Sequence, residues 1–255
     1  MAMKSATSTA FRTPSTVFVK RSRLPCCIAG EPMLHYRLHR DPKSSHQQIT
    51  ALVRRLGRSP ILDVGAAQGF LGQLLQGSHL DIDAVEPNAY WAEQARPVYR
   101  QVYAASIEDA ELPSKTYRVI VCADVLEHTV DPVSVVQQLR RVATDDALFV
   151  ISLPNVAHLA VRLLLLVGRF PQMERGILDR THLHFYTLDT ARQMLRNAGL
   201  EVVRQRPTGV PLDELWPAGE GSLSYNILMR LQHLALLIAP RLFGFQWILL
   251  ARQAH

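Results

Sequence analysis

The sequence predicts an α/β fold: a doubly wound, mostly parallel sheet covered by helices on both faces. Three observations carry that expectation. Short runs such as "PILDVG", "IDAVEP" and "YRVIVCAD" are apolar almost throughout, as strands buried on two faces must be. Stretches of helical period separate these runs. The runs themselves end on acids or small residues, where a ligand crevice would open.

In chain order, "SSHQQITALVRRLG" carries apolar residues at helical spacing, takes Ser45 as its N-cap and stops at Gly57. The first strand, residues 60–65, leads into a helix over 69–77; a strand over 82–87, a helix over 89–96 and a strand over 101–106 follow. The fourth strand spans 117–124, its helix 131–144, and the fifth strand 147–154, stopped by Pro154. Residues 156–187 are too long for a simple connection and form a helical insert after the fifth strand. In it an apolar helix, "LAVRLLLLVG", reads as a cap over a pocket or as the surface of a homodimer, and a polar, His-rich turn follows. A helix over 187–200 closed by Gly199, a strand over 201–207 and a last helix and strand complete the pattern. Arg230, Pro240 and Arg241 cut the most apolar region, 225–252, into runs of about ten residues where a membrane span needs about twenty. It reads as a buried or capping helix before a strand, and leaves room for a peripheral membrane contact.

Length supports one domain, assigned to residues 33–255, preceded by an extension over residues 1–32. The extension is rich in Ser, Thr and Arg and reads as a disordered tail, an over-extended start ahead of Met33, or an organellar transit peptide. Five of the six net positive charges fall in residues 1–30, on Lys4, Arg12, Lys20, Arg21 and Arg23. The remaining chain is nearly neutral, so no nucleic-acid partner is expected. Cys26, Cys27 and Cys122 lack ligand-like spacing, which points to a reducing, cytoplasmic setting without a zinc site.

The turn in "ILDVGAAQGFLG" decides the ligand. A dinucleotide fold asks for Gly-x-Gly-x-x-Gly, yet Ala67 and Phe70 occupy the second and third glycine positions counted from Gly65. Asp63 ends the strand before the turn, where its charge suits a cation better than a pyrophosphate. S-adenosylmethionine offers an ammonium, a sulfonium and a carboxylate that backbone N–H groups at a helix start can receive. Gly65 and Gly69 would keep that backbone close, and Glu86 stands at the next strand end, where a carboxylate can bridge two ribose hydroxyls.

Over roughly residues 33–255 the chain resembles class I S-adenosylmethionine-dependent methyltransferases, with their Rossmann-like fold, and most closely the branch holding ubiquinone-pathway O-methyltransferases and enzymes of polysaccharide clusters. The stretches that carry the likeness are "ILDVGAAQGFLG", "AVEPN", "YRVIVCADVLEHTVDP", "VISLPNVAH" and "LDRTHLHFYT". The resemblance implies a seven-stranded sheet with the last strand antiparallel. It implies that Asp63, Gly65, Ala67 and Gly69 surround the methionine part, that Glu86 with Pro87 holds the ribose, and that Ser106 and Ile107 flank the adenine. Ala123 and Asp124 would border the methyl group. The family usually has glycine where Ala67 stands and often Asp where Ser106 stands; Glu108 or Asp109 is an alternative adenine contact.

Methyl transfer needs alignment above all, and a hydroxyl acceptor also gains from a base. Two stretches offer one. "DVLEH" supplies Asp124, Glu127 and His128, a set that either binds a divalent metal or orders the loop. "LDRTHLHFYT" supplies His182 and His184, which share one side if the segment is extended, and Arg180, which could grip an acidic acceptor. Asn155 is a candidate acceptor contact or an Asx turn, and Tyr36 or His46 a candidate lid. The expected activity is methylation of oxygen on a small molecule or glycan intermediate. The alternatives are an NAD-dependent oxidoreductase and a non-catalytic binding module of the same fold.

Overall fold

Alternation along each strand places its residues in two apolar layers, one on either side of the sheet. In β1 (Ile61–Val64) Leu62 and Val64 join one layer and Ile61 the other; in β4 (Tyr117–Ala123) Ile120 and Cys122 part from Val119 and Val121 in the same way. The layer with Leu62 is closed by α4 (Pro132–Val142) and α6 (Leu188–Asn197), and the layer with Ile61 by α1 (Ser45–Leu56), α2 (Phe70–Leu75) and α3 (Ala89–Ala95). The structure, a computed structural model, describes residues 41–216 and 219–254. The extension over 1–32, Cys26, Cys27 and Tyr36 lie outside the described residues.

With β2 (Ile82–Val85), β3 (Gln101–Tyr103), β5 (Ala143–Pro154), β6 (Leu200–Pro207) and β7 (Gln246–Gln253), the sheet has seven strands in the order β3-β2-β1-β4-β5-β7-β6. β7 runs antiparallel to both β5 and β6, and the other pairs are parallel. The mostly parallel, doubly wound expectation therefore holds. Strand order reverses at β1 and β4, so the loops after these two strands flank a crevice at the carboxyl end of the sheet.

Local differences from the sequence expectation have local causes. Ser44 caps α1 instead of Ser45, because its extended backbone lets its hydroxyl accept from the Gln47 amide. β5 begins at Ala143, earlier than read, since Ala143 pairs with Tyr117 before an irregularity in the ladder. Beyond β5 come α5 (Leu159–Leu166) and, after β6, α7 (Leu212–Leu215), α8 (Leu223–Ile238) and α9 (Pro240–Phe243). α8 is not buried, as the sequence allowed: only Tyr225 and Leu236 along it are inside.

Candidate active site

The turn after β1 is built by backbone that only small residues accept. Gly65 and Gly69 have φ of +72° and +85°, and a Cβ at Gly65 would meet Val125 at 2.6 Å. Between them Ala67 also takes a left-handed φ, +46°, where glycine is favoured. The Ala67 amide donates to Glu86 at 2.7 Å, which explains why the chain holds that conformation. Ala67→Gly should therefore raise stability by about 0.5–1 kcal/mol, the left-handed strain of roughly 1–2 kcal/mol less the entropy glycine loses; a denaturant midpoint unchanged or lowered would contradict it.

Asp63 is 4% exposed, beneath the turn that follows β1. Tyr99 donates to its carboxylate at 2.5 Å and itself accepts from the Gly72 amide at 3.1 Å, tying β1 to the start of α2. Burial pushes the Asp63 carboxyl up to about 7, against the lowering effect of the Tyr99 bond. Sequence spacing offers no signal for Tyr99, which lies thirty-six positions away. Glu86, also buried, accepts from the Ala67 amide through one oxygen and the Asn88 amide through the other, at 2.8 Å. Each oxygen keeps a second lone pair for a ribose hydroxyl. Pro87 is exposed beside it.

At the end of β3, Ser106 donates to Asp109 at 2.9 Å, and Ile107 is buried in the layer that holds Leu62. Asp124 follows Ala123, at the end of β4, with φ of +55°. Its amide and carboxylate bind Ser152 of β5, and its second oxygen accepts from Gln246 of β7 at 2.8 Å. These ties aim Asp124 across the sheet and separate it from the metal set in which sequence reading placed it.

What replaces that set forms across the insert. A short 3-10 turn over Leu126–His128 presents Glu127, whose carbonyl accepts from the Leu183 and His184 amides and so clamps the insert onto it. Glu127, His128 and His182 each offer a ligand atom, and the three lie within 4.8 Å of one another. Glu127 is 0% exposed, and neither carboxylate oxygen meets a donor from another residue. Burial, then the nearby Asp124 charge, holds its carboxyl well above the usual range. The His128 and His182 rings stand 4.7 Å apart, edge to face. His182 Nδ1 lies 3.1 Å from the Ile177 carbonyl, and His128 Nδ1 faces the Thr181 carbonyl and a Thr181 hydroxyl that already donates to Asp179. Such neighbours put the proton on Nδ1 of both rings and leave the lone pair on Nε2. Burial lowers the His182 pKa, and His128 beside it lowers it further.

Other expected partners do not converge there. Asp179 folds the insert into a turn by accepting from the Thr181 amide and hydroxyl, so His182 and His184 do not share one extended side. His184 Nε2 instead sits 3.3 Å from the Val130 carbonyl. Asn155 does not face an acceptor: it is buried, its amide group donates to the Arg241 and Gly244 carbonyls and its oxygen accepts from Ala157. Arg180 is exposed in the insert turn, and His46 packs 5.9 Å from Phe70 at the start of α2.

A seven-stranded sheet with an antiparallel β7 and a glycine turn after β1 defines a Rossmann-like architecture. The chain belongs to the methyltransferase-domain family, whose model matches residues 35–205. Similar solved structures include YcgJ from Bacillus subtilis (16% identity, 82% of this chain and all of that one, TM-score 0.56) and a SAM-dependent methyltransferase from Archaeoglobus fulgidus (16%, 83% and 96%, 0.55). Magnesium protoporphyrin IX methyltransferase from Synechocystis PCC 6803, with bound S-adenosylhomocysteine, is 14% identical over 83% of each chain, with a TM-score of 0.57. No curated protein is a significant match.

Proposed function

We propose that this protein transfers a methyl group from S-adenosylmethionine to an oxygen of a small molecule or glycan intermediate, with His182 as the base. The observation that carries the reading is His182, clustered with Glu127 and His128 and with its Nδ1 3.1 Å from the Ile177 carbonyl, together with the glycine turn and Glu86 at neighbouring strand ends. S-adenosylmethionine would lie against the glycine turn, with its ribose hydroxyls on the Glu86 carboxylate, and would supply the methyl group. The acceptor hydroxyl, held in line with carbon and sulfur, gives its proton to His182 Nε2 as the C–O bond forms and the C–S bond breaks. The bound cofactor would then remain as S-adenosylhomocysteine, uncharged at sulfur.

The buried, unpartnered Glu127 favours a second reading, in which Glu127, His128 and His182 hold a divalent cation. Two imidazoles and one carboxylate suit a first-row transition ion better than Mg²⁺. Bound there, it would polarise the acceptor hydroxyl.

Methyl-labelled cofactor incubated with a cell extract tests the activity: label should enter a small acceptor, and tight NAD binding without S-adenosylhomocysteine binding would overturn the reading. Calorimetry with Zn²⁺ and Mn²⁺ separates the two roles of His182. Under the metal reading, Glu127→Gln weakens binding at least tenfold and chelation abolishes transfer. Under the base reading, chelation changes nothing and His182→Ala lowers turnover with cofactor affinity kept.

A further inference from the structure

α8 is amphipathic in the wrong direction for a free surface. Its inward side buries only Tyr225 and Leu236 and adds polar contacts: Gln232 exchanges hydrogen bonds with Val210, and His233 lies 3.3 Å from Asp41. Its outward side carries Leu223, Ile227, Leu231, Leu234, Leu237 and Ile238, with Leu223 and Leu237 more than three-quarters exposed. Water-facing helices of globular proteins show the opposite pattern. α5 repeats the inversion, with Val161 inside and Leu163, Leu165 and Leu166 outside.

Both helices stand at the site end of the sheet. α5 follows the carboxyl end of β5, and α8 with α9 leads into β7, whose amino end lies alongside it. Asn155 joins the two by its bonds to Arg241 and Gly244. Charge narrows what can cover them. Residues 147–173 and 222–254 contain no Asp or Glu, while Arg162, Arg169 and Arg230 stand exposed beside the leucines. A second copy would bring this basic surface against itself. The first forty residues of the chain are basic as well, with Glu31 their one acid. An anionic lipid surface complements both the leucines and the arginines, and no helix among the described residues is long and apolar enough to cross a membrane.

We propose that α5 and α8 seat the protein on an anionic membrane surface, leucines in the headgroup boundary and Arg162, Arg169 and Arg230 at the phosphates. The crevice then opens toward the bilayer, so the acceptor is lipid-borne; this last step rests on the methyl-transfer reading above.

Co-sedimentation of the full chain with phosphatidylglycerol/phosphatidylcholine vesicles tests the docking. Binding is expected with these vesicles, far less with pure phosphatidylcholine, and at least tenfold less for Leu231→Gln/Leu234→Gln or for Arg162→Gln/Arg230→Gln. S-adenosylhomocysteine calorimetry on the same variants should be unchanged, and this keeps a failed docking distinct from a failed cofactor site. Absent vesicle binding, binding that the substitutions leave intact, or a solution dimer that Leu231→Gln/Leu234→Gln dissolves would each overturn the proposal.

Discussion

Glu86→Ala is expected to weaken S-adenosylhomocysteine binding about 100-fold, roughly the two charge-assisted bonds of about 1.5 kcal/mol each that its carboxylate makes to ribose hydroxyls. The same change frees the Ala67 and Asn88 amides, which Glu86 holds at 2.7 and 2.8 Å, so the turn that receives the methionine end loses its brace. Glu86→Gln keeps an acceptor for one amide and should fall between. Calorimetry at constant pH measures the loss, and the thermal midpoint of each variant separates local from global damage. Affinity within threefold of the parent for Glu86→Ala would remove Glu86 from the cofactor site.

S-adenosylhomocysteine affinity should also depend on pH through Asp63. In the free protein burial raises this carboxyl from 3.8 to about 7, so near neutrality it is half protonated. The cofactor's ammonium favours the carboxylate, so binding expels a proton: affinity should rise close to tenfold per pH unit up to about 7 and level off above. Between pH 5.5 and 7.5 that is about 25-fold. Stability of the free protein carries the opposite sign. Between about pH 4 and 7 the folded chain holds a proton on Asp63 that the unfolded chain has lost, so this group's contribution falls as pH rises through that window and is level beyond it. Asp63→Asn, which still accepts from Tyr99, should flatten both profiles. A parent affinity that does not change with pH would exclude direct charge recognition by Asp63.

The two acids illustrate how much of the site was legible. Each ends a short apolar strand, and a parallel sheet puts such ends side by side, so their adjacency follows from strand order. Burial of Asp63 under the turn does not, because it requires Tyr99 to arrive from beyond α3. Similarly, "DVLEH" reads as one cluster along the chain, yet the left-handed backbone at Asp124 sends that carboxylate to Ser152 and Gln246. His182 takes its place only because the Glu127 carbonyl captures the insert through two amides.

By itself the sequence determined the α/β class, the order of strands and helices and the glycine turn after the first strand. Periodicity and glycine geometry are local properties, written within a few residues of where they act. Tertiary structure alone decided which histidine meets Glu127, that Asn155 serves the fold, and that α8 turns its leucines outward. Those outcomes depend on contacts between residues tens to hundreds of positions apart, and no local pattern encodes them.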